Sequence, residues 1–187
     1  HVMYWANGFL AQQDIVADFH EAIARLPELD PYTLTLSTLS NDQVVYLACR
    51  NSQSPLGFTF RIGMQLPAVF TATGKMMLSA LSAAEVQALL PQFPPPYTER
   101  SVQSHTELAD ELAGCRRQGY ALDDGQLRRG MHCFGTAVFD HAGQARFGVA
   151  ASLIEAEADE KTRQHLVDGL KKLAAQLTRT LGGQLPA

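Results

Sequence analysis

Apolar and polar positions alternate along this chain with two different periods, and the switches between them mark its elements. From Phe9 to Leu26 the apolar residues Phe9, Leu10, Ile15, Val16, Phe19, Ile23 and Leu26 recur close to a helical repeat among Gln, Asp, His and Glu, which predicts an amphipathic helix ended by Pro27. Tyr32 to Leu39 alternates with period two and is rich in Thr and Leu. Ser40-Asn41-Asp42 separates it from Gln43 to Cys49, so the two runs predict a hairpin. Phe58 to Ile62 predicts a third strand, and Gly63 to Pro67 a loop. Thr73 to Leu81 predicts a helix with Gly74 near its start, and Ser82-Ala-Ala-Glu85 has the spacing of a capping box for the next helix, which runs to about Leu90. Prolines at 91, 94, 95 and 96 make the stretch up to Thr98 an irregular connector.

The second half repeats the contrast. Leu108, Leu112 and Cys115 share one face of a helix over Ser104 to Gln118, capped by Ser104 or Thr106, with Arg116 and Arg117 in its last turn and Gly119 to stop it. Asp123 and Asp124 form an acidic turn. Phe134 to Phe139 follows as a strand, turns at Asp140 to Gly143, and returns as Phe147 to Leu153. Asp159 to Leu181 predicts a long closing helix with the stripe Leu166, Leu170, Leu173, Leu177, Leu181. No internal repeat is evident. This order suits an α+β domain in which a mostly antiparallel sheet, curved enough to hold a small ligand, carries helices against it.

Composition narrows the function classes. A chain of 187 residues, 46% apolar and 18% charged, can bury a real core. Its net charge of -4 is wrong for a domain that neutralises phosphates by itself, so no nucleic-acid face is expected here. Cys49, Cys115 and Cys133 are odd in number and without a CxxC, which argues against a disulfide framework or structural zinc and for a reducing, cytoplasmic setting. No apolar run reaches the roughly 20 residues of a membrane span. His1-Val2 is not how a native chain begins, which points to an excised piece.

The candidate chemistry gathers late in the chain, where Asp123, Cys133 and Ser152 are placed to face one cavity. Backbone N–H groups of Ala72, Thr73 and Gly74 at a helix start favour an anion, unless Thr73 serves only as the helix cap. Lys75 follows a glycine, yet Val69 and Met76 stand where a phosphate loop needs Gly and Ser or Thr. His132 and Cys133 are neighbours on a strand and point to opposite faces, so the favoured reading is a small semi-apolar Cys133 in the pocket with His132 facing out. A zinc site on Asp123 and Cys133 stays open but has no paired-ligand spacing. Asp123 serves equally well as pocket residue or turn, and Asp124 suits a turn.

The residues also carry a resemblance. Arg61-Ile-Gly-Met-Gln-Leu-Pro-Ala-Val-Phe-Thr-Ala-Thr-Gly-Lys-Met-Met-Leu-Ser-Ala-Leu81, then Gly119-Tyr-Ala-Leu-Asp-Asp124 and Gly130-Met-His-Cys-Phe-Gly-Thr-Ala-Val-Phe-Asp140, resemble the effector-binding domain of IclR-type bacterial transcriptional regulators, from about Leu26 to Leu181. The resemblance implies a GAF-like domain over 27–187, preceded over 1–26 by the remainder of a linker helix, with the DNA-binding domain missing. It implies a small organic acid as effector, no cofactor, no metal and no membrane, operator DNA only through the missing domain, and a homodimer or homotetramer. Carried over by motif, the ligand residues are Ala72, Thr73, Gly74, Asp123, Met131, Cys133, Ala150 and Ser152, with Phe58 and Pro55 as apolar walls. Small-acid binders of the family carry Ser at the position of Ala150 and a smaller wall side chain at that of Phe58. That departure favours an aromatic or medium-sized carboxylate here, with Phe58 setting its size.

Three function classes follow: a ligand sensor without chemistry, a small thiol or serine hydrolase built on Cys133 or Ser152, and a ligand-free GAF-like dimerisation module. The sensor leads because no nucleophile, base and orienting group sit together. Turnover of generic esters would mark the enzyme, and a ligand-dependent melting shift would separate sensor from module. The apolar surface of the first helix, from Phe9 through Phe19 and Ile23 with Tyr4 and Trp5 ahead of it, is expected to meet a partner subunit rather than fold back.

Overall fold

The computed structural model describes residues 15–52 and 59–185. Its centre is a six-stranded sheet in which every neighbouring pair is antiparallel, ordered β3-β2-β1-β6-β5-β4, where β1 is Thr33–Ser40, β2 Gln43–Arg50, β3 Gln65–Pro67, β4 Ala121–Asp123, β5 Met131–Phe139 and β6 Ala145–Ile154. Among the described residues five α-helices surround it: α1 over 15–24, α2 Ala72–Ser79, α3 Ala83–Leu89, α4 His105–Gln118 and α5 Glu160–Thr180. This is the α+β, curled antiparallel architecture that the periodicity implies.

Local chemistry sets most of the boundaries. Ser82, Ser104 and Asp159 each cap a helix by accepting an N–H three residues on, and Ser82 with Glu85 completes a capping box. Gly119 ends α4 at φ 73°, a left-handed conformation that costs glycine little. One strand is displaced from expectation. Residues 59–62 are irregular and the third strand is Gln65–Pro67, because the chain pairs with β2 only after the turn at Ile62-Gly63. A further short strand, β4, forms where only a turn was expected, its partner being β5.

The sheet divides the core in two. Under α5, the residues Leu34, Leu36, Phe134, Val138, Phe147, Val149, Ala151 and Leu153 pack with Leu166, Leu170, Leu173 and Leu177. Ile15, Phe19, Ala22 and Ile23 of α1 belong to this same cluster and are buried within the single chain. The expectation that this part of the helix waits for a partner is therefore corrected: a helix whose stripe matches the open end of a core buries it there first. Tyr4, Trp5, Phe9 and Leu10 lie outside the described residues. On the other face α2 lies against β4, β5 and β6 and is buried at all eight positions, Lys75 included. A helix covered on every side has no amphipathic stripe to read.

Candidate ligand site

The site begins where α2 meets the sheet. Gly135 and Gly148 carry no side chain beneath the helix start, and a Cβ there would lie 2.9 Å from Thr73 N and 2.6 Å from Thr73 Cβ respectively. Their absence of bulk lets α2 rest almost on the strands. Thr71 caps the helix: its Oγ1 accepts the Gly74 N–H at 3.1 Å and donates to the Ala68 carbonyl at 3.2 Å. Two parts of the sequence reading are thereby corrected. The cap is Thr71 and not Thr73, and the Gly74 N–H is already used, because the helix starts at Ala72 instead of Thr73. The Thr73 hydroxyl accepts a hydrogen bond from Ser37 at 2.8 Å instead of standing free. Among the described residues the N–H groups of Ala72 and Thr73 have no acceptor.

Asp123, at the end of β4, is the polar centre. Its Oδ1 accepts three backbone N–H groups, from Gly125 at 3.2 Å, Gln126 at 2.7 Å and Leu127 at 3.2 Å. Its Oδ2 is buried and has no partner among the described residues. Burial pushes this carboxyl up to about 7, against the opposing pull of Lys75 and the three N–H donors. Lys75 does not pair with it directly. Its Nζ lies 2.6 Å from Glu111 Oε2 and 3.4 Å from the Leu122 carbonyl.

Cys133 and Ser152 face each other across β5 and β6, with Sγ and Oγ 3.1 Å apart. Burial and the neighbouring Asp123 push the Cys133 thiol far up, so it is protonated and a poor nucleophile. His132 points to the opposite face, as strand alternation requires, yet it is not solvent-facing as expected. It is 6% exposed, with Nε2 3.7 Å from Glu155 and neither ring nitrogen hydrogen-bonded among the described residues. Burial lowers its pKa. It lies across the sheet from Cys133, so among the described residues no imidazole stands beside the thiol.

Ala72, Thr73, Asp123, Cys133, Ala150 and Ser152 converge on one cavity. Met131 is buried in the core beneath the same helix but is not among its walls, and Pro55 and Phe58 lie outside the described residues. The remaining walls, Thr35, Tyr46, Phe60, Thr71 and Leu127, were missed. Thr35 was within reach, since alternation with Thr33 and Ser37 puts three hydroxyl residues on one face of β1. Tyr46 and Phe60, whose rings lie 5.1 Å apart, meet only through folding. Burial is the main cause that raises the Tyr46 phenol, with Cys133 and Asp123 adding to it. As it stands the cavity measures about 10 Å³, room for about one water molecule. Among the described residues no three His, Cys, Asp or Glu side chains are grouped to hold a metal, and no helix is long and apolar enough to cross a membrane.

Comparison with known proteins adds the family. Residues 7–179 match the family model described as bacterial transcriptional regulator IclR C-terminal. The chain is similar to the repressor BlcR of Agrobacterium tumefaciens, with 48% identity and a TM-score of 0.88 over 99% of this chain and 74% of that one. It is 31% identical to the HTH-type transcriptional regulator XynR of Escherichia coli over 65% of this chain and 49% of that protein. To KdgR of the same organism it is 28% identical over 92% and 66%. The chain thus spans between about half and two thirds of these two curated relatives, 49% and 66%. All three are transcriptional regulators, not enzymes.

Proposed function

Because the chain belongs to the IclR family of bacterial transcriptional regulators, and matches the C-terminal part of its members, we propose that it is the effector-sensing domain of such a regulator, taking a small organic acid between α2, β4, β5 and β6. The observation that carries this reading is the buried, unpartnered Oδ2 of Asp123 beside two backbone N–H groups without acceptors. A buried polar atom left unpaired costs about 1–3 kcal/mol, and a ligand that supplies its partner recovers it. The ligand carboxylate docks on the Ala72 and Thr73 amides at the start of α2, where the helix favours negative charge. Ser152 supplies a hydroxyl nearby. Asp123 binds the acid in its protonated form, donating from Oδ2, since an ionised Asp123 would repel a carboxylate.

The cavity is closed to about one water, so the ligand must widen it. Phe60 and Leu127 stand on irregular segments, not on the sheet, and are the walls that can give way. That movement reaches further. Gln126 and Leu127 hang from Asp123 Oδ1, while Gln126 accepts from Ser101 at 2.7 Å and donates to Glu111 at 2.9 Å. Occupancy is therefore passed to α4 and the 98–102 segment as a shift between two arrangements of the domain. Operator binding is assigned to the length of the relatives that this chain does not span, and the regulator acts as a homodimer or homotetramer.

The closed volume favours a compact acid over the aromatic or medium-sized one suggested by Phe58 and Ala150. A thermal-shift screen of small carboxylates at pH 6 and pH 8 tests the reading. Compact acids should raise the melting temperature more at pH 6, and Asp123→Asn should remove that pH dependence. A screen with no shift from any carboxylate at either pH would refute it.

A further inference from the structure

At the opposite end of α2 from Asp123 lies a second, far larger opening. Met76 of α2, Cys115 of α4, Phe139 of β5 and Ala174 of α5 form an apolar floor, and Arg116 and Lys171 line the same opening. The volume is about 610 Å³, within the roughly 300–1,000 Å³ of small-molecule clefts. The cavity at Asp123 measures about 10 Å³.

The polar groups inside are satisfied and do not call for a polar ligand. Ser79 donates to the Met76 carbonyl at 2.7 Å and Thr136 to the Gly119 carbonyl at 3.2 Å. Burial pushes the Cys115 thiol up to about 11, so it stays neutral and counts as part of the apolar floor. The two cations are different. Arg116 donates from Nε to the Ser79 carbonyl at 2.6 Å, and Lys171 from Nζ to the Gln118 carbonyl at 2.9 Å while lying 5.7 Å from the centre of the Tyr120 ring. These partners are neutral, and among the described residues neither cation forms an ion pair. They are held by the last carbonyls of α2 and α4, and Arg116 also by the Leu81 carbonyl at 3.4 Å, and among the described residues no carboxylate neutralises them. Leu185, 49% exposed, extends the apolar surface on the chain's return past Gly182.

We infer that this cleft is a second ligand site, for an amphipathic carboxylate whose apolar tail lies over Met76, Phe139 and Ala174 and whose head group is held between Arg116 and Lys171. An apolar floor alone would accept any oil-like molecule; two cations in its lining with no carboxylate partner among the described residues select an anion. Burial of the tail supplies the hydrophobic part of the affinity, and the head group adds charge-assisted hydrogen bonds without the full cost of burying a charge. The site is separate from the one at Asp123 but shares α2 with it: Ala72 and Thr73 line one cavity and Met76 and Ser79 the other, within a single helix. A tail wedged under the last turn of α2 bears on the helix that carries the first site, so each ligand alters the affinity of the other by the same factor.

Titration calorimetry of the 187-residue chain with octanoate, 1-octanol and butyrate is the test, since the three probes carry tail and charge, tail alone and charge alone. Octanoate should bind one per chain and at least tenfold more tightly than either of the others. Lys171→Glu, at an exposed position, should weaken octanoate at least tenfold, and Ala174→Trp, which fills the floor, should abolish its binding. Ser152→Ala should leave octanoate affinity unchanged. Equal affinity for octanoate and octanol, or octanoate binding untouched by Lys171→Glu, would overturn the proposal even if Ala174→Trp fails to fold. So would a severalfold weakening of octanoate in Ser152→Ala, which would place it at the first site. Binding that appears only on dilution of a self-associating sample would mean that a second copy of the chain fills the cleft, and would likewise overturn it. Butyrate is itself a compact acid that the first site can take, so the comparison with octanol and the Lys171→Glu variant decide this proposal, and neither depends on the ligand of the first site.

Discussion

The two faces of the sheet are built from opposite materials. Under α5 the strands present Leu36, Phe134, Val138, Val149 and Leu153, which interlock with the leucine stripe of the helix. Under α2 they present Thr35, Ser37, Cys133, Gly135, Ala150 and Ser152, small and mostly polar, and close on an acid left without a full set of partners. Alternation along each strand makes this division possible, since neighbouring residues of β5 and β6 serve different faces. One face holds the domain together. The other is as fully buried, but places within its apolar cluster an acid without a full set of partners, beside a cavity of about 10 Å³.

The comparison can be broken most sharply from the α5 side. Leu170, 1% exposed, sits in the middle of the stripe, and Leu170→Ala should cost about 2–5 kcal/mol in chemical denaturation, as large-to-small core changes do. A cost under about 1 kcal/mol would mean that this face is not the structural core.

Asp123 offers the next largest effect, with opposite sense. Its carboxyl titrates at about 7 in the folded chain and near the ordinary 3.8 when unfolded, so the native state holds the extra proton between these values. Stability must therefore fall as pH rises from about 4 to about 7, by up to about 4 kcal/mol from this group. Asp123→Asn keeps an acceptor for the Gly125, Gln126 and Leu127 N–H groups and removes the charge. Its denaturation midpoint should change less than the parent's between pH 5 and pH 8, and an unchanged difference would show that Asp123 is not strained.

Gly148→Ala probes the fit of α2 on the sheet. The new methyl meets Thr73 Cβ at 2.6 Å, so the helix start must lift, at a cost of about 1–3 kcal/mol for overpacking and with loss of carboxylate-induced thermal shifts. Retained shifts at parental strength would separate ligand binding from the helix start. Thr71→Ala should remove the cap on Gly74 and cost about 1 kcal/mol by thermal denaturation, whereas Thr73→Ala should leave the cap intact. The smallest effect is that of Ser152→Ala, expected to weaken a carboxylate found in the screen by about 0.5–1.5 kcal/mol in calorimetry, one hydrogen bond's worth.

What could be read without the structure follows from range. The two hairpins, the caps at Ser82, Ser104 and Asp159, the stop at Gly119 and the stripe of α5 depend on residues a few positions apart, and the sequence states them directly. Asp123, Cys133 and Ser152 could be placed together because strand alternation and hairpin register are also local rules. Thr71, Tyr46, Phe60 and Leu127 could not, nor could the third strand at Gln65–Pro67. Their roles depend on where α2 settles on Gly135 and Gly148 and on which residues after β2 find its free edge. The oxygen of Asp123 and the cations Arg116 and Lys171, which lack a charged partner among the described residues, belong to the same class. A sequence names the charged residues, but whether a charge finds a partner is decided only when distant segments pack, because electrostatic pairing and burial are properties of the assembled surface.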